Sequence, residues 1–276
     1  MGFKISLAGD QGGGKSTVAG LLIEQTGAVF YSAGQFSRDC AKEMGMDIAE
    51  FSVYTEAHPE IDYKIDSGLM KLNDRTEDMI IDSRMAWHFV KNNFRVYLFC
   101  DSMECARRIQ RANRATEHFD SVEAAAEKVR QRKASEGRRY MGLYQVDIKD
   151  PRNYDLLVDT TKASPEQVCE KILASLPLWQ KGELACNGYV CPTTLLYPDD
   201  EPNAELLAEI NLKIELNQPI PPVEVYEKEG IYYIVSGAES AVACAMNCLP
   251  HVPFVHASTP FDDTKKYVKM EIDTVC

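Results

Sequence analysis

Gly9-Asp10-Gln11-Gly12-Gly13-Gly14-Lys15-Ser16 fits the pattern G-x-x-x-x-G-K-[ST]. Glycines at these positions let successive backbone N–H groups turn inward and approach an oxyanion closely. The preceding run Phe3–Ala8 is β-favourable, and Val18, Leu21 and Leu22 share one helical face after Lys15. Strand, glycine loop and helix is the context this motif requires, with the positive end of the helix dipole aimed at the anion. Read this way, Gly9 to Thr17 cradles the phosphates of ATP. Lys15 reaches the β- and γ-phosphates, and the Ser16 hydroxyl ligates Mg²⁺.

Working outward, Ala28–Tyr31, Met79–Ile81, Arg95–Cys100 and Leu156–Val158 read as further strands. Helical stretches separate them. Ser32 suits the N-cap of a helix that Gly45 ends. Residues 47–75 read as helices broken at His58-Pro59, and Ser121 starts a long helix to about Tyr140. Ser164-Pro165-Glu166-Gln167 has the form of a capping box with proline at the first helical position. Apolar strands alternating with helices predict an α/β fold with a parallel sheet covered on both faces. Asp82 ends the Met79–Ile81 strand, as an acid in the outer shell of Mg²⁺ does in such folds.

The chain has 276 residues and a formal net charge of −12, an acidity that disfavours extended nucleic acid as a partner. The basic residues are nevertheless concentrated between Arg107 and Arg139. Phosphoryl transfer to a phosphate acceptor gathers many anionic oxygens, so arginines from separate segments are the expected signature. The candidates are Arg38, Arg84, Arg107, Arg108, Arg111, Arg132, Arg138 and Arg139. Arg132 and Arg139 are seven apart on one helix face, with Glu136 between them. Nine cysteines lack the spacing of a disulfide framework, and no apolar stretch approaches a membrane span, so a reduced, cytoplasmic protein is expected.

With these residues in view, residues 1 to about 176 resemble the cytidylate kinase group of nucleoside monophosphate kinases, in its shorter archaeal form. The carriers are Gly9–Thr17; Tyr31-Ser32-Ala33-Gly34 with Arg38; Glu56 to Asp62; Ile80 to Arg84; Arg139-Tyr140 with Tyr144 and Asp147; and Tyr154-Asp155-Leu156 through Val168. The resemblance implies a five-stranded parallel sheet, an acceptor-binding region and a lid. It implies ATP, Mg²⁺ and a small nucleotide as ligands. Lys15, Arg84, Arg132 and Arg139 would act on the transferring phosphoryl group. Gly9 to Thr17 with Arg108 and Arg111 would hold ATP, and Ser16 and Asp82 would hold Mg²⁺. Ser32, Gly34, Arg38, Arg84, Asp101 and Glu136 would face the acceptor. Two departures fall on the acceptor side. Ser83 stands where the family has glycine, and Tyr63-Lys64-Ile65-Asp66-Ser67-Gly68 lacks an arginine frequent there. A different small acceptor, or a nucleotide-responsive regulatory role, therefore stays open.

Composition changes after Trp179. The expected organisation is a kinase-like domain over 1–178, a linker over 179–204 and a small α+β domain over 205–276. Within the last, residues 217–257 are similar in layout to the ParB/sulfiredoxin-like domain. Gly237 there is followed by Ala238-Glu239-Ser240, and Glu239 would repel a nucleotide phosphate. The expectation is a regulatory, dimerising or partner-binding unit, with self-association or a protein partner as its role.

Overall fold

A computed structural model describes residues 2–46, 48–111, 121–228, 230–258 and 264–270. The chain divides into two compact units, Met1–Asp155 and Leu156–Cys276. The division falls ahead of the expected strand Leu156–Val158, whereas composition changes only after Trp179.

The first unit follows the order expected of a nucleotide-binding α/β fold. Strand β1 (Lys4–Gly9) leads into helix α1 (Lys15–Thr26), followed by β2 (Val29–Ser32), α2 (Ala33–Glu43), α3 (Ile48–Ala57) and α4 (Pro59–Lys71). Then come β3 (Met79–Asp82), a short α5 (Ala86–Phe89), β4 (Phe94–Phe99), α6 (Ser102–Arg111) and α7 (Val122–Tyr144). The strands lie in the order β4-β1-β3-β2 and all pair in parallel. This order brings the C-terminal ends of β1 and β3 together, with Leu7 opposite Asp82. Ligands of such sheets gather at those ends.

Burial follows strand position. β1 and β3 are central and almost wholly buried, with Ile5, Leu7, Ile80 and Ile81 inaccessible. β2 is the outer strand of this unit and leaves Val29 and Phe30 exposed, so its apolar sequence does not mark a covered strand. Four of the five expected parallel strands belong to this unit. The fifth, β5 (Leu156–Asp159), falls in the second, where it pairs in parallel with β6 (Gly188–Val190).

The second unit continues with α8 (Pro165–Lys181), which precedes β6, and with β7 (Leu196–Pro198), α9 (Ala204–Glu215), β8 (Val223–Lys228), β9 (Ile231–Ser236), α10 (Ala238–Met246), β10 (Val252–His256) and β11 (Tyr267–Lys269). Its strands run β5-β6-β10-β8-β9-β7-β11 in a mixed sheet. The capping box expected at Ser164 and Gln167 is present. Residues 180–203, expected to be a linker, instead carry β6 and β7. Strands of three residues containing glycine or proline are too short to show alternation. Glu239 is committed locally, its carboxylate accepting the Asn203 N–H at 3.0 Å where α9 begins. Among the described residues Cys40, Cys100, Cys105, Cys169, Cys186, Cys191 and Cys244 are free thiols, while Cys248 is disulfide-bonded, which the expectation of a reduced chain did not include.

A buried polar knot ties this unit together. Asp159 accepts hydrogen bonds from the Thr161 N–H, the Thr161 hydroxyl and the Cys191 N–H, while its carbonyl meets His251 Nε2 at 2.6 Å. His251 is 5% exposed, and its Nδ1 has no hydrogen-bond partner. Burial therefore holds the imidazole neutral, lowering its pKa to about 4; the Asp159 carbonyl opposes this and Lys171 adds to it. The unfolded chain protonates near the ordinary value, so this contribution is intact above about pH 6.5 and is lost as pH falls toward about 4. Asp159 works in the opposite sense, because burial raises its carboxyl. The histidine effect is thus isolated by comparison with His251→Gln, which can hydrogen-bond but does not titrate. Urea unfolding should show the wild type losing about 2–3 kcal/mol more than this variant between pH 7 and pH 4.5. Equal losses would assign the acid sensitivity elsewhere.

Candidate active site

The phosphate loop is built by backbone conformation. Gly9 leaves β1 with φ +144, and a Cβ there would stand 2.1 Å from the Leu98 carbonyl oxygen. Gly12 has φ +84 and would bring a Cβ to 2.7 Å from the Cys105 carbonyl oxygen. Side chains are excluded at both positions, which explains two of the glycines. Gly14 takes a left-handed conformation and caps α1 without a side chain, leaving the first-turn N–H groups for a ligand. Ser16 and Thr17 are exposed on that turn.

Lys15 folds back over the loop, its Nζ donating to the carbonyls of Gly9 and Asp10 at 2.8 Å each. Burial lowers its pKa to about 8, and the Arg84 guanidinium adds to this, while Asp82, Asp10 and Glu136 oppose it. Asp82 is half-buried at the end of β3, opposite Leu7 of β1 and Ser32 of β2. Its carboxylate and the Ser16 hydroxyl are hard oxygen donors, the type Mg²⁺ takes alongside phosphate oxygens and water. The loop and this donor pair fit ATP with Mg²⁺.

Facing the loop is a cleft lined by Gly9, Asp10, Gln11, Arg84, Tyr97 and Lys133, among others. Arg84 Nε lies 2.9 Å from Glu136 Oε2. Burial works against the Arg84 charge, but Glu136 and its neighbours more than compensate and raise its pKa. Arg84, Glu136 and the loop thus share one cleft, with Lys15 in electrostatic reach of both side chains. Val129, Lys133 and Glu136 line the cleft together at the i, i+4, i+7 spacing of one helix face. Lys133 was not singled out from sequence, although Glu136 supplied the phase from which it could have been found.

Other candidates lie elsewhere. Arg139 turns to a second cluster, donating to the Thr55 hydroxyl at 3.0 Å and to the Tyr140 hydroxyl at 3.3 Å, with Asp62 at 3.6 Å. Asp62 and Asp66 are one helical turn apart on α4, both buried, and the Tyr144 hydroxyl donates to Asp66. Burial raises the Asp66 pKa to about 6, against the hydrogen bond from Tyr144. Ser32 caps α2 by accepting the Gln35 N–H, and Gly34 sits beside it. Arg38 is exposed and donates to the Gln35 amide oxygen. Asp101 caps α6, its Oδ1 accepting the N–H groups of Met103 and Glu104. Arg108 pairs with Glu104 at 3.2 Å, and Arg111 is exposed at the end of α6. The side chain of Arg132 lies outside the described residues.

Fold and loop together define a P-loop phosphotransferase of the small-molecule kinase class. A family model described as an AAA domain matches residues 5–128. Over 174 residues the chain is 36% identical to a cytidylate kinase of Thermoplasma volcanium, covering 62% of this chain and 89% of that one. A cytidylate kinase of Methanobrevibacter smithii is 34% identical over 173 residues, 62% of this chain and 97% of the relative. The chain belongs to the cytidylate kinase family. Similarity also extends to an S-adenosylmethionine-dependent nucleotide dehydratase of Lacinutrix mariniflava, 36% identical over 171 residues but covering 35% of that protein. Among the described residues no helix is long and apolar enough to cross a membrane.

Proposed function

We propose that the protein transfers the γ-phosphoryl group of ATP to a nucleoside monophosphate, CMP or dCMP, releasing ADP and the nucleoside diphosphate. The observation that carries this is the meeting of Arg84 with Glu136 at 2.9 Å beside the phosphate loop of a cytidylate kinase family member. An arginine there can bridge the transferring and accepting phosphates, while a carboxylate can accept a hydrogen bond from a ribose hydroxyl. Ser16 and Asp82 would hold Mg²⁺, which when bound would supply neutralisation of phosphate charge. Lys15 and Arg84 spread the developing charge, and the loop N–H groups fix the donor. The acceptor phosphate is already ionised, so no general base is required.

A second reading keeps the chemistry and changes the acceptor. It is favoured by the contact of Tyr31 with Gly68, where an added Cβ would stand 2.7 Å from the tyrosine hydroxyl. This aromatic contact occupies the stretch that lacks the arginine frequent in the family. ADP release should be measured with ATP, Mg²⁺ and a panel of ribo- and deoxynucleoside monophosphates. Turnover with CMP or dCMP well above the others is the expected result. Turnover confined to another monophosphate favours the second reading, and ATP binding without transfer to any member sinks the CMP reading and leaves an acceptor outside the panel.

A further inference from the structure

Asp10 places a carboxylate inside the loop that has to hold a polyphosphate. Its side chain is 11% exposed and accepts hydrogen bonds from the Tyr97 hydroxyl at 3.1 Å and the Cys100 N–H at 3.4 Å. Both donors are neutral, so they orient the carboxylate without cancelling its charge. Besides the Lys15 ammonium, which also feels this carboxylate, a direct compensating charge comes from α7, where Lys133 Nζ lies 2.5 Å from Asp10 Oδ1. Lys133 is one helical turn from Glu136, which meets Arg84. One face of α7 thus brings a cation to the loop carboxylate and a carboxylate to the cleft arginine. A carboxylate close to bound phosphate would otherwise repel it, a repulsion that solvent screens only in part.

We propose that Lys133 is a positioning residue for ATP, acting through Asp10. By neutralising that carboxylate it removes the one acidic side chain in the phosphate loop as an obstacle to the polyphosphate, and it registers α7 over the loop. A competing role, in which Lys133 grips a phosphate directly, predicts a different mutational pattern. If Lys133 acts on phosphate, its loss weakens ATP whatever stands at position 10. If it acts through Asp10, removing the carboxylate as well restores binding.

The inference rests on the kinase reading only as far as ATP binding, and calorimetric titration of the full chain with MgATP at pH 7 tests it without an acceptor. Lys133→Met should weaken ATP about tenfold, since the side chain is partly exposed and the repulsion partly screened. Adding Asp10→Asn should bring affinity back to within about threefold of the wild type, the signature of coupled neighbours. Lys133→Arg, which keeps the charge, should bind nearly as the wild type does. A Lys133→Met chain that binds normally, or a double variant as weak as the single one, overturns the proposal. Absence of transfer to any monophosphate would sink the acceptor reading and leave this result standing; unchanged affinities in an active kinase would do the reverse.

Discussion

Replacing Lys15 with alanine is expected to lower ADP formation from ATP and a nucleoside monophosphate by about a thousandfold or more, with the fold intact. The ammonium group is held by the carbonyls of Gly9 and Asp10, each at 2.8 Å, so its position depends on the loop and not on a distant element. Phosphoryl transfer needs little covalent help from the protein, and charge stabilisation is therefore most of what can be lost. The lysine also sets a pH signature. Burial, with Arg84 behind it, lowers the pKa to about 8, so the group is charged at pH 7 and loses its proton only above that. In the wild type, kcat/KM for ATP should fall on an alkaline limb near pH 8, because this parameter reports the free enzyme. The residual activity of Lys15→Ala should lack that limb. A variant retaining more than about a tenth of wild-type turnover would take the lysine out of the transfer step.

How much of this was legible in the sequence depends on the range of the interactions involved. The loop was readable because its chemistry is local: the glycines, the lysine and the helix start lie within one turn of each other. The same holds for the Ser164 capping box and for the split between α3 and α4 at His58-Pro59. Asp82 was readable because it ends a strand whose neighbours are fixed by the parallel order. Asp101 caps α6, and the acceptor-side role expected of it came from the family resemblance, not from its local context. Arg108 pairs with Glu104 four residues away, a local contact along α6. Lys133, Tyr97 and the buried pair Asp62 and Asp66 became visible only when segments far apart in sequence were brought together. The span of 123 residues between Asp10 and Lys133 leaves no periodic trace. In the second unit, β6 and β7 escaped because three residues cannot display a period.

Arg84→Met is the second large expected effect, lowering kcat/KM by about a hundredfold to a thousandfold. Two roles for the arginine have to be separated, because Arg84 both faces the cleft and partners Glu136, whose side chain is 13% exposed. Loss of the partner alone would weaken the compensation of a buried carboxylate and reduce activity through misfolding or displacement of α7. Loss of the transition-state contact would reduce turnover in a protein that unfolds as the wild type does. The pH profile gives an independent reading. After burial, the guanidinium is the strongest influence lowering the Lys15 pKa, so its removal should let that pKa rise. The alkaline limb of kcat/KM should therefore move to higher pH in Arg84→Met. In Arg84→Lys the charge stays and the limb should remain near its wild-type position, while turnover recovers only in part, because an ammonium cannot bridge two phosphates as a planar guanidinium does. A reduced rate with an unmoved limb in Arg84→Met would mean that the arginine acts at a distance from Lys15. Its contribution would then be the anchoring of Glu136, and the acceptor phosphate would have to be gripped by the Arg139 cluster instead.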